Sequence, residues 1–437
     1  MRKRFLSLAA TFAAIGLFSV VLKADLDGSQ VLPLDNESIA YAKRPLDDAV
    51  TNLQKNVAAG KAKMEYDPAF GYLRSLLKNL DIQESSQVLV FTKTSFQAPR
   101  ISPRTPRAIY FNDDVAVGFV RTGEVLEIAD ADPRQGIIFY TVDQEAKKSA
   151  RFDRQDQCLQ CHASGATLGV PGLLVRSLYP DHTGMPVFRA GSFITDHRSP
   201  LEERWGGWYV TGTHGDQRHM GNAVIEDKDH PEQFDKEKGA NVTDLKPFFD
   251  TGSYLTPHSD IIALMMLEHQ TRMRNLIIRV GWETRLALAQ QDVMNKALGE
   301  APGTVSDSAK RRIGNAAEEL VRYMLFADEA ALKSEIRGTS TFAHDYSSRG
   351  PKDKQGRSLR DFDLRTRLLK YPCSPLIYSR AFDALPELAK QEVYQRLWRV
   401  LSGSDTSPKF ARLTATDRTA VREILLDSKK DLPAYWK

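Results

Sequence analysis

The chain has little excess charge, with 60 basic against 56 acidic side chains and a formal net charge of +4. The basic residues are spread along the sequence, which argues against a nucleic-acid partner or a polybasic membrane-binding patch. Beyond the N-terminus no apolar run is long enough to cross a bilayer. Cysteine is scarce, with three residues in 437, and no internal repeat or low-complexity tract is present. With 42% hydrophobic residues, the chain is expected to bury a core and to form two or three domains or one large composite one.

Two of the three cysteines lie in the run Cys158-Leu-Gln-Cys161-His162. A C-x-x-C-H motif is typical of c-type haem attachment, in which each thiol forms a thioether to a haem vinyl group and the histidine binds the iron. The alternatives are a zinc site or a redox C-x-x-C. Zinc needs four ligands, and a second Cys/His pair at metal-finger spacing is absent. The sequence therefore predicts one covalent haem c with His162 as the proximal iron ligand.

Cys373 is the one cysteine outside this motif. Because Cys158 and Cys161 would both be joined to haem, Cys373 has no thiol left to pair with, and no intramolecular disulfide is expected. We interpret it as a small buried hydrophobic residue.

The N-terminus resembles an export signal. The basic residues 1–4 precede the apolar run Phe5 to Leu22, which is the order found in secretory signals. Cleavage is expected after Ala24, which gives a signal peptide over residues 1–24. The apolar run is nearly long enough to span a bilayer, so an uncleaved single-helix anchor is the alternative. Either reading predicts a periplasmic protein, as covalent haem attachment outside the cytoplasm requires.

The hydrophobic pattern changes type along the chain. Apolar spacing predicts a helix over 67–80, and β-branched and aromatic runs separated by turn residues predict four or five antiparallel strands over 86–142. Glycine is dense from Gly165 to Gly221, which favours tight loops and close backbone approach. From Thr256 onward the pattern is helical. We therefore predict an α+β fold with three regions: an N-terminal helical segment over 25–85, an antiparallel β-rich haem-binding region over 86–250, and a mainly α-helical region over 251–437.

The sixth iron ligand would separate an electron carrier from a catalyst. Three candidates lie in the glycine-rich loops after the motif, and we rank His219 first, His214 second and Met185 third. An open or water-bound position is the alternative. His258 and His269 share one stripe of a predicted helix and could cover a haem face, although such a stripe is more often a core face.

Arginine is the residue best suited to clamp a haem propionate, because its guanidinium group can donate two parallel hydrogen bonds. Arg204 opens the densest aromatic and arginine cluster in the chain, over residues 204–209, and is our candidate. A hairpin with an aromatic core and a surface arginine is the alternative. Arg218 and His219 match the Arg/His pair of peroxidases in residue type. The match is limited to residue type, because adjacent residues of a strand point to opposite faces and would not both face one ligand.

Several stretches outside the motif are similar to those of a group of exported bacterial proteins of the cytochrome c family. They are residues 85–91, 106–113, 204–212 and 369–374, so the resemblance covers nearly the whole mature chain. It implies defined roles for Cys158, Cys161 and His162 and carries no assigned activity.

Two classes of function fit these expectations. The first is electron transfer through one covalent haem, between a redox enzyme and a respiratory electron carrier, which the surplus of candidate ligands favours. The alternative is a haem-dependent oxidoreductase with an open distal site, acting on peroxide, a nitrogen oxide or an organic substrate, which the length of the chain favours. A haem-based sensor or a structural subunit is the third possibility.

Overall fold

The computed structural model describes residues 30–146 and 150–436. The predicted export signal lies outside these residues. Within them the expected α+β class is confirmed, since the chain forms an antiparallel seven-stranded sheet together with nine α-helices. No helix in this part of the chain combines the length and the apolar character needed to cross a bilayer.

The main sheet contains more strands than the sequence pattern predicts. Its spatial order is β6-β5-β4-β3-β2-β1-β9, with all neighbours antiparallel. Two small ribbons pair β7 with β8 and β10 with β11. The strands are β1 (Val88–Val90), β2 (Arg107–Phe111), β3 (Val115–Phe119), β4 (Val125–Asp132), β5 (Gly136–Asp143), β6 (Phe152–Arg154), β7 (Arg176–Leu178), β8 (Ser192–Ile194), β9 (Trp208–Tyr209), β10 (Gly212–Thr213) and β11 (Arg337–Gly338).

The helices lie mainly in the C-terminal half, as the sequence predicts. They are α1 (Ala49–Ala58), α2 (Leu73–Asn79), α3 (Leu159–His162), α4 (Ile261–Leu298), α5 (Asp307–Met324), α6 (Phe342–Ser347), α7 (Arg380–Asp383), α8 (Glu387–Leu401) and α9 (Ala415–Ser428). Side-chain caps mark several starts: Asp260 accepts from Ile262 N and Ala263 N at the start of α4, and Ser306 accepts from Ala309 N at the start of α5.

The helix predicted over 67–80 starts late, at Leu73. Asp67 accepts hydrogen bonds from the backbone of Ala69 and Phe70, and its own backbone pairs with Gly71 in an isolated bridge. The Asp67 side chain therefore closes a turn instead of capping the helix.

The two faces of the main sheet differ in chemistry because successive residues of a strand point to opposite faces. One face carries Leu126, Ile128 and Val142, which are buried in a cluster that includes α1 and α2. The other face carries Glu127, Phe139 and Thr141 on β4 and β5, with Gly118 of β3 opposite Glu127. We call this second side the motif face, since the C-x-x-C-H segment lies against it.

Helix α4 joins the sheet to the C-terminal helices. Its 38 residues span about 57 Å at 1.5 Å per residue. Arg274 donates to the backbone oxygens of Asn112 and Asp113 at the β2–β3 turn, and Arg285 donates to Arg134 O at the β4–β5 turn. The helix therefore lies along one end of the sheet, where it can hold the loops that reach that end.

Candidate haem attachment site

The C-x-x-C-H motif forms one compact helical turn. A 3-10 turn over Asp156–Cys158 continues directly into α3. Gln155 fixes this turn to the motif face, because its backbone N–H donates to Phe139 O and its side-chain amide donates to Thr141 Oγ1, both over 2.9 Å.

The two thiols project from neighbouring positions on that turn. Residues three apart in a helix lie on the same side, so Cys158 and Cys161 can reach one planar group together. Cys158 is half-buried and Cys161 is exposed. Burial, followed by the charge of Glu127, raises the pKa of the Cys158 thiol to about 11, so this thiol is neutral at pH 7.

The His162 imidazole is held in the orientation that a metal ligand needs. Its Nδ1 lies 2.9 Å from Gly172 O, and its ring packs on Phe139 with the ring centroids 4.9 Å apart. A carbonyl oxygen only accepts, so Nδ1 carries the hydrogen and Nε2 keeps its lone pair. Burial lowers the pKa of His162, which keeps the ring neutral. A neutral imidazole whose second nitrogen donates to a carbonyl is the arrangement found in metal-binding histidines.

Gly172 owes its position to helix α4. The Asn275 side chain accepts from Leu173 N over 3.0 Å and donates to Leu173 O over 2.7 Å. It therefore makes both backbone hydrogen bonds that a neighbouring strand would otherwise make with Leu173. Gly172 N also donates to His162 O over 2.8 Å. A Cβ atom at Gly172 would lie 2.3 Å from Asn275 Oδ1, so no larger residue fits without a shift. The sequence prediction of close backbone approach in this stretch is confirmed at Gly172.

A charged pair lies on the motif face beside the histidine. Arg107 Nη1 donates to Glu127 Oε2 over 2.7 Å. Burial raises the pKa of Glu127, but Arg107 and the donors Gln97 and Ser95 lower it further, and the net shift is downward. The Arg107 Nε–H has no partner among the described residues. Arg107 is therefore a candidate donor to a haem propionate.

Arg204 is not brought to the motif. Its guanidinium group bonds to Glu268 over 3.2 Å, to His197 O over 3.0 Å and to Ser199 O over 2.6 Å, and the side chain is 3% exposed. These partners occupy its donors inside the protein. Arg204 is a buried structural arginine in this fold, and no local sequence pattern identifies Glu268 as its partner.

His219 and His214 also lie apart from the motif, in contact with each other at a centroid distance of 4.7 Å. The backbone of Asn222 in the same loop bonds to β9, and β9 and β5 are five strand spacings apart, roughly 24 Å. His219 Nδ1 accepts from Gly221 N, so in the neutral ring the hydrogen is on Nε2, where a metal would need a lone pair. Burial, followed by the charge of His214, lowers the pKa of His219 to about 3.

The other ligand candidates have separate places. Met185 is 49% exposed in a tight turn where its backbone N–H donates to Asp181. Arg218 pairs with Glu237 at the surface. His219 and Arg218 therefore do not form a peroxidase-like pair at the motif.

The stripe of α4 that carries His269 is a core face. His269 Nδ1 lies 2.8 Å from His197 Nδ1, and its Nε2 lies 2.8 Å from Ser374 Oγ. Both rings are buried, and burial lowers the pKa of each. Cys373 next to Ser374 is also fully buried, as the sequence indicates, and burial raises the pKa of its thiol.

No group of three or more His, Cys, Asp or Glu residues within 30–146 and 150–436 is arranged to hold a metal ion. A zinc site at the C-x-x-C-H motif would lack its remaining ligands, whereas two thiols on one turn beside an oriented imidazole fit haem c. Searches with this chain against protein-family models, curated proteins and solved structures find no match.

Three contributors to the site have weak signals in the sequence. Gly172 lies in the glycine-dense stretch. That pattern predicts a close contact with the backbone but does not identify Asn275 as the neighbour. Asn275 and Arg107 have no local signal, because Asn275 reaches the site from a distant helix and Arg107 from β2, three places from β5 in the sheet.

Proposed function

We propose that this protein is an exported c-type cytochrome with one covalent haem, attached through Cys158 and Cys161 and bound at the iron by His162. The observation that carries this proposal is the 2.9 Å hydrogen bond between His162 Nδ1 and Gly172 O. It fixes the tautomer and aims Nε2 away from the carbonyl. When bound, haem would supply an iron centre able to gain and lose one electron.

Electron transfer is the function that this site supports best. Cys161 is exposed and His162 is partly exposed, so the motif lies at the protein surface, where a redox partner protein or a respiratory electron carrier can approach. The nearby Arg107–Glu127 pair is part of the electrostatic environment of His162. Both charges are candidates for tuning the reduction potential.

A haem-dependent oxidoreductase is the second candidate, and one observation favours it. The histidines ranked as sixth ligands, His214 and His219, are engaged with Asn241 N and Gly221 N in a separate cluster. A distal position that no imidazole fills would admit small ligands. The substrate classes are those expected from the sequence: peroxide, a nitrogen oxide or an organic molecule.

Covalent attachment has a direct test. Haem should stay with the polypeptide through acid-acetone extraction and denaturing electrophoresis, and the double variant Cys158→Ala/Cys161→Ala should lose the haem stain. Cys373→Ala is the matched control, because this buried cysteine is far from the motif in sequence and should leave the stain intact. Free haem extracted from the native protein would contradict the proposal.

One optical spectrum of the oxidised and reduced protein separates the two functions. A low-spin spectrum that carbon monoxide does not change supports the carrier. A high-spin spectrum that changes quickly on addition of cyanide or carbon monoxide supports the oxidoreductase. His162→Ala should alter the Soret band in either case; an unchanged band and an unchanged potential would assign the axial ligand to another residue.

Export to the periplasm is part of the same proposal, because covalent haem attachment takes place there. It rests on residues 1–24 acting as a signal peptide or as an uncleaved membrane anchor. The mass of the mature N-terminus distinguishes the two.

A further inference from the structure

A cavity of about 280 Å³ lies away from the haem motif, between the β2–β3 turn and helix α6. None of its lining residues belongs to the C-x-x-C-H segment. Aromatic rings form one wall, since Phe342 packs on Phe111 and on Tyr346 with centroid distances of 5.8 and 5.5 Å. Polar groups form the rest, including four carboxylates and two guanidinium groups.

The two guanidinium groups are already neutralised. Arg349 bonds to Asp81 and Arg360 bonds to Asp113. The other two carboxylates of the lining, Asp114 and Asp345, form no ion pair within the described residues, although Asp114 lies near the charge of Arg274, which is not part of the lining. The cavity therefore has an excess of negative charge.

Several acceptors in the cavity have unused capacity. No described residue donates a hydrogen bond to the Asp114 carboxylate. Asp345 accepts the Ser85 and Thr341 hydroxyls at one oxygen, Oδ2, which leaves Oδ1 unbonded within the described residues. Tyr346 is 7% exposed, and its hydroxyl has no hydrogen-bond partner of good geometry there, although the Gln270 amide lies beside it.

We propose that this cavity binds a small organic cation with one or two primary ammonium groups. An ammonium group has three donors and no acceptor, which matches carboxylate and hydroxyl oxygens without partners. It also binds favourably over aromatic rings, which Phe111 and Phe342 supply. A bound cation would stabilise the charged form of Asp114, whose pKa is raised by burial and then by the charge of Asp113.

A metal ion fits this cavity less well than an amine. No metal-holding group of acidic side chains exists in the described part of the chain, the cavity residues included. The aromatic wall offers no metal ligand, whereas it suits the carbon chain of an amine. The inference does not depend on haem.

The test is isothermal titration calorimetry of the intact haem protein with putrescine, a four-carbon diamine. We expect saturable binding that weakens with salt. 1,4-Butanediol and succinate have the same carbon skeleton without the positive charges, and neither should bind. Asp114→Asn and Asp345→Asn should each weaken putrescine binding roughly 10- to 100-fold, the loss expected for a hydrogen bond to a charged group.

Asp292→Asn is the matched control, since it removes one carboxylate from an exposed position of α4 and should leave the affinity unchanged. Equal binding of putrescine by the wild type and by both cavity variants would overturn the inference, as would binding of the diol or of succinate at the same strength. Absence of putrescine binding to the wild type would overturn it too. Asp345→Asn keeps the inference testable if Asp114→Asn fails to fold.

Discussion

The contact between Gly172 and Asn275 makes a quantitative prediction about the haem site. In Gly172→Ala the new Cβ atom would lie 2.3 Å from Asn275 Oδ1 and 2.8 Å from its Cγ. Both distances are far below contact distance, so the Asn275 side chain has to move or the Leu173 backbone has to shift. Either movement breaks the two hydrogen bonds between Asn275 and Leu173.

The magnitude follows from those two bonds. Each is worth about 1 kcal/mol, and a buried polar group left without a partner costs about 1–3 kcal/mol. We therefore expect Gly172→Ala to lower the free energy of unfolding by about 2–4 kcal/mol. Asn275→Ala removes the same bonds without adding an atom and should cost about the same.

A double-mutant cycle measured by urea denaturation checks this reasoning. If the cost of Gly172→Ala is the collision with Asn275, the variant carrying both substitutions should be about as stable as Asn275→Ala alone, with a coupling equal in size to the cost of Gly172→Ala, about 2–4 kcal/mol. Gly314→Ala is the control, because no atom lies within 4 Å of its new Cβ and alanine is favoured in a helix by about 0.5–1 kcal/mol. Additive costs would refute the collision.

In the proposed cytochrome, the same variants also test the role of Gly172 in haem ligation. Loss of the His162–Gly172 hydrogen bond makes the imidazole a weaker electron donor, which should raise the reduction potential of the haem in Gly172→Ala and in Asn275→Ala. Gly314→Ala should keep the wild-type potential. A wild-type potential in all three variants would show that the Gly172 carbonyl does not act on the ligand.

Three further predictions concern buried groups. His219→Ala should keep the wild-type spin state, checked by the optical spectrum; a change to high spin would bring His219 back as the distal ligand. Arg204→Met leaves Glu268 buried without its cation and should cost about 3–5 kcal/mol in denaturant unfolding, whereas Arg218→Met at the surface should cost under about 1 kcal/mol. Burial, followed by the charge of a neighbouring aspartate, raises the pKa of Asp130 to about 8, so the folded state binds more protons than the unfolded state between pH of about 4 and 8. Stability should fall as pH rises through that window, by at most about 1.4 kcal/mol per pH unit, and Asp130→Asn should flatten the fall; an unchanged pH profile would contradict the shift.

Elements with strong local signals were predictable from the sequence. The strands β2 to β5 follow runs of β-branched and aromatic residues, and α5 begins directly after Ser306, a residue type that favours the N-cap position. The short strand β6 was not predictable, because three residues carry too little pattern, whereas the aromatic and β-branched run over 208–210 predicts the extended segment that contains β9. Strand β9 joins the sheet through pairing with β1, which is distant in sequence, and a local pattern does not encode that pairing.

In the candidate site, too, the residues with a local signal were predictable and those placed by the tertiary fold were not. Cys158, Cys161 and His162 share one helical turn, so their spacing alone places them together. His219 was ranked first because it lies in a glycine-rich loop after a strand that was expected to pack on the haem region, but the sheet places that loop at β9, the opposite edge from β6. Arg204 carries a charge that would suit a propionate, but in the fold its guanidinium group is paired with the buried carboxylate of Glu268. Segments that are close in sequence can therefore lie far apart in the fold, because the strands to which they are attached lie at different places in the seven-stranded sheet.

The reach of Asn275 into the motif loop has a consequence for the order of maturation. In the proposed function the chain is exported N-terminus first, so the C-x-x-C-H segment would be available before helix α4. Until then nothing on α4 holds Leu173, and Gly172 has no fixed position from which to orient His162. The proposed haem attachment would therefore take place before α4 fixes the motif loop, and the later packing of α4 would set the orientation of His162 in the folded protein.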